Sequence, residues 1–201
     1  MFTDLRGFTT FSEQLEPEQV VGVVNQYLSE MTDAILRNGG TLVSYMGDGI
    51  MALFGAPLEQ PDHADRALRA AREMIADRLP RFNQWLSAHG FDKQFRMGIG
   101  VNSGQVMSGN VGSIQRLEYT ALGDTTNTAA RLEAMTKGTE HQVFIADSTR
   151  QRLSGHNDDL LELGEAEVRG RSAKIKLWTL REGPLAEPAG ATPAGLSGAS
   201  S

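Results

Sequence analysis

Residues 41–54 read TLVSYMGDGIMALF. Two apolar, partly β-branched runs, Thr41 to Tyr45 and Ile50 to Phe54, flank Gly47-Asp48-Gly49, which reads as a hairpin turn. Asp48 then stands alone at the tip, a carboxylate between two glycines. Working outward, Pro17 opens a segment with Val20, Val21, Val24, Tyr27, Leu28, Met31, Ile35 and Leu36 at helical spacing, closed by Gly39-Gly40. After the hairpin, a second helix is expected from about His63, capped by Asp62, through Ala67, Leu68, Ala71, Met74 and Ile75. Pro80 should end or kink it, and Phe82 to His89 reads as further helix. Phe95 to Val101 reads as a strand. The glycine-rich SGQVMSGNVG follows, where dense glycines imply close backbone approach, and then a strand ending near Tyr119 to Leu122. Asp124 or Thr125 caps a short helix through Met135, Val143 to Ala146 is a buried strand, and Ile175 to Leu180 is the last. This order of strands and helices is that of an α/β sandwich, one mixed sheet with helices packed on it.

The bulk properties narrow the chemistry. With 201 residues, 40% hydrophobic, the chain is long enough for one domain with a substantial core. A formal net charge of -6 without long basic runs argues against nucleic acid or an anionic membrane as the main partner. With no cysteine, disulfides, thiolate metal sites and a Cys nucleophile are excluded, and four scattered histidines leave carboxylates as the metal ligands. No run of about 18 apolar residues is present to span a bilayer, and no basic-then-apolar leader is visible. The expected compartment is the cytoplasm. From Gly183 the text GPLAEPAGATPAGLSGASS cannot bury enough apolar surface to offset its ordering entropy. Residues 1–182 are therefore expected to form the domain and 183–201 a disordered tail.

A second carboxylate, Asp4, lies in MFTDLRGFT between a strand end and a Gly-containing loop. Two Asp residues brought side by side suit hard divalent ions such as Mg²⁺, which take oxygen ligands and share their shell with substrate phosphates. A pair of such ions would activate an attacking oxygen and stabilise a leaving one. In GDTTNTAARLE, Asn127 and Arg131 are four apart and share one helical face, with small alanines between them. An amide and a guanidinium projecting together could orient a sugar oxygen and stabilise charge on a phosphoryl group. Taken singly, each Asp could instead cap a turn, and Arg131 could pair with a nearby acid on a solvated face.

Taken together, FTDLRGFT, MGDGIMALFG and YTALGDTTNTAARLE, in that order, resemble the class III nucleotidyl cyclase catalytic domain, that of the adenylate and guanylate cyclases, most of all the bacterial adenylate cyclases. The resemblance runs from residue 1 to about residue 181. It implies a ferredoxin-like α/β (α+β) sandwich that dimerises head to tail, each active site being built from both chains. Asp4 and Asp48 match the metal aspartates, with the Leu5 carbonyl lending a ligand to two divalent cations, Mg²⁺ or Mn²⁺. Gly7, Phe8 and Thr9 match the loop whose amides meet the triphosphate, and Arg96 a triphosphate-binding cation. Asn127 matches the residue that orients the ribose, and Arg131 the one that stabilises the transition state. In VRGR, either Arg169 or Arg171 corresponds to a further phosphate-binding cation. The implied reaction is attack of the ribose 3′-hydroxyl on the α-phosphorus of ATP, giving 3′,5′-cyclic AMP and pyrophosphate.

Two departures qualify the resemblance. At the position where adenylate cyclases carry Lys and guanylate cyclases Glu, this chain has Ser44, whose hydroxyl can donate or accept. Its partner position is Thr120, as in many bacterial adenylate cyclases, which favours ATP. Only Met1-Phe2-Thr3 precedes Asp4, so the first strand is expected to be truncated, with an upstream start in a larger, membrane-associated parent. The alternatives are a cyclase of relaxed or other base choice, and a catalytically inert dimerisation or regulatory module. Some other phosphoryl-transfer enzyme is disfavoured by the lack of a GxxxxGK[ST] loop.

Overall fold

A computed structural model describes residues 1–155, 157–169 and 173–181. Nine strands and six α-helices are assigned among them: β1 Phe2–Leu5, α1 Phe8–Ser12, α2 Pro17–Arg37, β2 Thr41–Met46, β3 Gly49–Leu53, α3 His63–Glu73, α4 Leu79–Ala88, β4 Met97–Val101, β5 Met107–Ser113, β6 Arg116–Leu122, α5 Asp124–Met135, β7 Val143–Ala146, α6 Asp147–Arg150, β8 Leu160–Ala166 and β9 Ile175–Leu180. Seven strands form one sheet in the order β2-β3-β1-β4-β7-β9-β8, and β5 and β6 pair separately. β4 and β7 run parallel while the other pairs are antiparallel, so the sheet is mixed as expected.

The sheet is covered on both faces. On one face, Leu5, Ile50, Met97, Ile99 and Ile145 pack against Tyr27, Met31, Leu68, Met74 and Phe82 of α2, α3 and the segments that follow α3. On the other, α5 sets Leu132 against Phe144 and Leu177, and the β5–β6 hairpin lays Ala121 on Met51 and Leu53. Strand alternation assigns Asp4 to this second face, since its ladder neighbour is Gly98 while Leu5 faces Met97 in the main core.

β1 is only four residues long, yet it is paired on both sides, with β3 at Phe2↔Met51 and Thr3↔Ile50 and with β4 along its whole length. Met1 extends the ladder, its amino group donating to the Ala52 carbonyl at 3.0 Å. β3 is buried throughout, whereas β2 is an edge strand whose end at Tyr45 and Met46 is exposed. Only one arm of the hairpin therefore lies inside the sheet.

Three local expectations are corrected. Pro80 does not end the helical run: it lies in the first turn of α4, which continues to Ala88. A π-helical turn, Met74–Arg78, directly precedes α4. Asp62 stands at the start of α3 but makes no side-chain cap; its carboxylate holds Arg66 at 2.7 Å. The glycines of SGQVMSGNVG are not uniformly crowded, for Gly109 sits in β5 with open space where a side chain would stand. β5 and β8 were not expected: the first is hidden by its glycines, the second by the acidic residues in LLELGEA. The expected tail, residues 183–201, lies outside the described residues.

Candidate active site

The site is built where the β2–β3 turn meets the end of β1. Gly47 adopts φ 69°, the left-handed conformation that lets the turn close tightly. Gly49 serves a different need: a Cβ there would meet the Met46 carbonyl at 3.2 Å and the Thr3 carbonyl at 3.3 Å, so its bare backbone permits β3 to enter beside β1. Asp48, between them, accepts a hydrogen bond from the Leu5 amide at 3.2 Å. The tip is thereby tied to β1, and the Asp4 and Asp48 carboxyls come into hydrogen-bonding contact.

Two carboxylates in contact resist joint ionisation. Partial burial first, and the Asp48 charge second, push the Asp4 carboxyl up to about 7; Glu133 adds to the rise and Arg6 opposes it. Arg6 is the neighbouring cation. Its guanidinium bonds Asp4 Oδ2 at 3.3 Å, Glu133 Oε1 at 2.5 Å and the Glu133 carbonyl at 2.7 Å, and it also reaches Thr136 Oγ1. Burial raises the Glu133 carboxyl as well, against the pull of Arg6. A site with this excess of negative charge is suited to a cation.

The neighbouring loop begins with Gly7, at φ 81° ahead of α1. Phe8 turns its ring into the core against Phe11 and Phe95, while Thr9 is exposed. Arg96, just before β4, lies at the same end of the sheet, its carbonyl accepting from the Arg6 amide at 2.9 Å. Its exposed guanidinium bonds the Glu140 carbonyl. Ser44 on β2 and Thr120 on β6 are both half-buried, on strands that touch one another. Arg169 is exposed in a turn after β8, and Arg171 lies outside the described residues.

Asn127 and Arg131 are on α5 as expected, but that helix turns them away from the carboxylates. The α5 backbone rests on β4 at Gly100, where an added Cβ would meet Ala129 and Glu133. At about 100° per residue, the Asn127/Arg131 face stands roughly 160° around the axis from the Ala129/Glu133 face. Accordingly, among the described residues no hydrogen bond or ion pair joins Asn127 or Arg131 to Asp4 or Asp48. One chain thus presents two half-constellations on different surfaces.

Sequence reasoning missed Arg6 and Glu133, although both lie inside the quoted motifs, at FTDLRGFT and NTAARLE. The signal was a charge of each sign beside a candidate site residue, but nothing in the spacing shows that they meet. A cavity of about 330 Å³ lies at the other end of β1, among Met1, Leu53, Val101 and Thr125, and includes neither Asp.

The family model described as "Adenylate and Guanylate cyclase catalytic domain" matches residues 1–182. Adenylate cyclase 1 of Rhizobium meliloti is 34% identical over 89% of this chain, which covers 26% of that protein. The chain therefore spans about a quarter of that relative, and 36% of an adenylate cyclase of Anabaena cylindrica that is 33% identical. Among solved structures, the adenylyl cyclase CyaB from P. aeruginosa superposes with a TM-score of 0.81 at 31% identity, covering 89% of this chain and 90% of that one. The guanylyl cyclase Cya2 superposes with a TM-score of 0.80 at 38% identity, covering 89% and 88%.

Proposed function

The chain belongs to the adenylate and guanylate cyclase catalytic-domain family, and from that premise we propose that it converts ATP to 3′,5′-cyclic AMP and pyrophosphate as a head-to-tail dimer of identical chains. The observation that carries this reading is the division of the candidate site. Asp4 and Asp48 meet at one surface while Asn127 and Arg131 project together from another. A two-fold pairing that brings the first surface of one copy to the second surface of the other completes two sites at once.

The donor set fits divalent cations. It offers hard oxygens from Asp4 and Asp48, with the Leu5 carbonyl adjacent. Asp4 is held near 7 by partial burial and by the Asp48 charge, and gains charge when a cation arrives. Among the described residues no group of three or more His, Cys, Asp or Glu is arranged to hold a metal ion by itself, so substrate phosphates and water would complete the shell, as Mg²⁺ prefers. When bound, such ions supply Lewis-acid stabilisation of the attacking and leaving oxygens.

The protein's own part is positioning. Asn127 orients the ribose so that its 3′-hydroxyl faces the α-phosphorus, and Arg131 donates to the oxygens on which charge develops. The amides around Gly7 to Thr9, together with Arg96 and Arg169 or Arg171, hold the triphosphate. Because the attack is intramolecular, the chain need supply no nucleophile.

The choice of ATP rests on Thr120 and on the adenylate cyclases among the relatives. A second reading, GTP as substrate, is favoured by Ser44, whose hydroxyl can accept as well as donate where Lys can only donate, and by the likeness to Cya2. Incubating purified protein with Mn²⁺ or Mg²⁺ and each of ATP, GTP, CTP and UTP, followed by mass identification of the product, decides between them. Cyclic AMP in excess over cyclic GMP is expected. Equal or greater turnover of GTP would overturn the ATP assignment, and no cyclic product from any nucleotide would overturn the enzyme reading.

A further inference from the structure

Arg6 links the two half-constellations within one chain. Its guanidinium reaches from β1 across β4 to the C-terminal turn of α5, where it bonds the Glu133 carbonyl at 2.7 Å, Glu133 Oε1 at 2.5 Å and Thr136 Oγ1. The other arm of the fork holds Asp4 at 3.3 Å. The side chain is 21% exposed, and that of Glu133 14%, so the pair is largely shielded from water. A cation on the terminal carbonyls of a helix also opposes the negative end of its dipole.

The sequence makes room for this link. In MGIGV, a Cβ at Gly98 would overlap the Arg6 guanidinium, and one at Gly100 would enter the α5 backbone. The two glycines of β4 are therefore a passage for the arginine and a seat for the helix. Arg6 fills the space that Gly98 leaves, spanning two elements that carry different candidate residues.

We infer that Arg6 is a positioning residue that sets Asp4 and α5 in register, and that through α5 it governs the active site to which its own Asp4 does not belong. The inference rests on the shared-site reading above. In the proposed dimer, α5 of each chain delivers Asn127 and Arg131 to the site containing the other chain's carboxylates. Losing Arg6 in one chain should then impair both sites, its own through Asp4 and the opposite one through α5.

The test uses dimers of an Asp48→Ala chain with an Arg131→Ala chain. Only one site is intact there, taking Asp4 and Asp48 from the Arg131→Ala chain and Asn127 and Arg131 from the Asp48→Ala chain. Arg6→Ala is added to the Asp48→Ala chain, whose own carboxylate site is already disabled. The expected result is a fall of tenfold or more in kcat with KM for ATP within threefold, partly restored by Arg6→Lys. Unchanged kcat would overturn the inference and leave the shared site standing. If the mixed dimer is inactive even with Arg6 present, the shared-site reading fails, and hydrogen exchange on the full chain decides the local link. Faster exchange at Leu132 to Thr136 in Arg6→Ala supports it, and unchanged exchange there overturns it.

Discussion

Gly100→Ala places one methyl group where α5 rests on β4. The new Cβ would stand 2.1 Å from the Ala129 carbonyl oxygen and 2.3 Å from the Glu133 amide nitrogen, both backbone atoms of one helix. Ordinary contact begins at about 3.4 Å, so helix and strand must part by about 1 Å, and no side-chain rotation can relieve the clash. Overpacking of this kind costs about 1–3 kcal/mol. At about 2–4 °C per kcal/mol for a domain of this size, Tm should fall by about 2–12 °C. Because α5 carries Asn127 and Arg131, a displacement of about 1 Å should lower turnover by up to about 10²-fold even in the folded fraction. Gly22→Ala is the control: that residue is exposed within α2 with open space around it. The substitution should raise stability by about 0.5–1 kcal/mol. Melting curves and initial rates of cyclic nucleotide formation, taken well below Tm, read both effects. A Gly100→Ala protein with parental Tm and parental rate would refute the claim that β4 seats the helix.

Other consequences follow from the same geometry. Asp4 is raised in the folded chain to about 7 from its ordinary 3.8, so the folded state holds its proton more tightly than the unfolded one. Without metal, its contribution makes stability fall as pH rises from about 4 to about 7. Mg²⁺ or Mn²⁺ should therefore raise Tm more at pH 8 than at pH 5; an equal rise at both would show that the carboxyl pair does not receive the ion. Arg131→Ala should lower turnover by a factor on the order of 10²–10³ with little loss of stability, since its side chain makes no ion pair among the described residues. Turnover within about threefold of the parent would sink its assignment. Ser44→Lys should raise the ATP-over-GTP preference several-fold, about what one net hydrogen bond of roughly 1 kcal/mol gives. An unchanged ratio measured in competition would place base choice elsewhere.

The hairpin and the long helices were legible because their signals are local: apolar spacing in 17–37, paired runs around Gly47-Asp48-Gly49, and Gly-flanked ends. The meeting of Asp4 with Asp48 was legible only through the resemblance, because the 43 residues between them carry no record of the β1–β3 pairing that joins them. Pro80 misled for a related reason. Its cost depends on which helical position it occupies, and the preceding π turn leaves no trace in composition. β5 was hidden because strand propensity is read from side chains, and MSGNVGS has few that pack. Arg6 and Glu133 lay in plain sight as letters. Their meeting depends on two glycines of a third element, Gly98 and Gly100, that make no chemical contribution of their own.

The most direct test of the account is to mix Asp48→Ala protein with Arg131→Ala protein under conditions where dimers exchange, and to measure cyclic AMP. Each protein alone should be nearly inactive. Random pairing puts half the dimers in mixed form with one whole site of two, so activity should recover to about a quarter of the parental value. Recovery near that level is the predicted result. No recovery, with exchange demonstrated, would contradict a site shared between two copies of this chain.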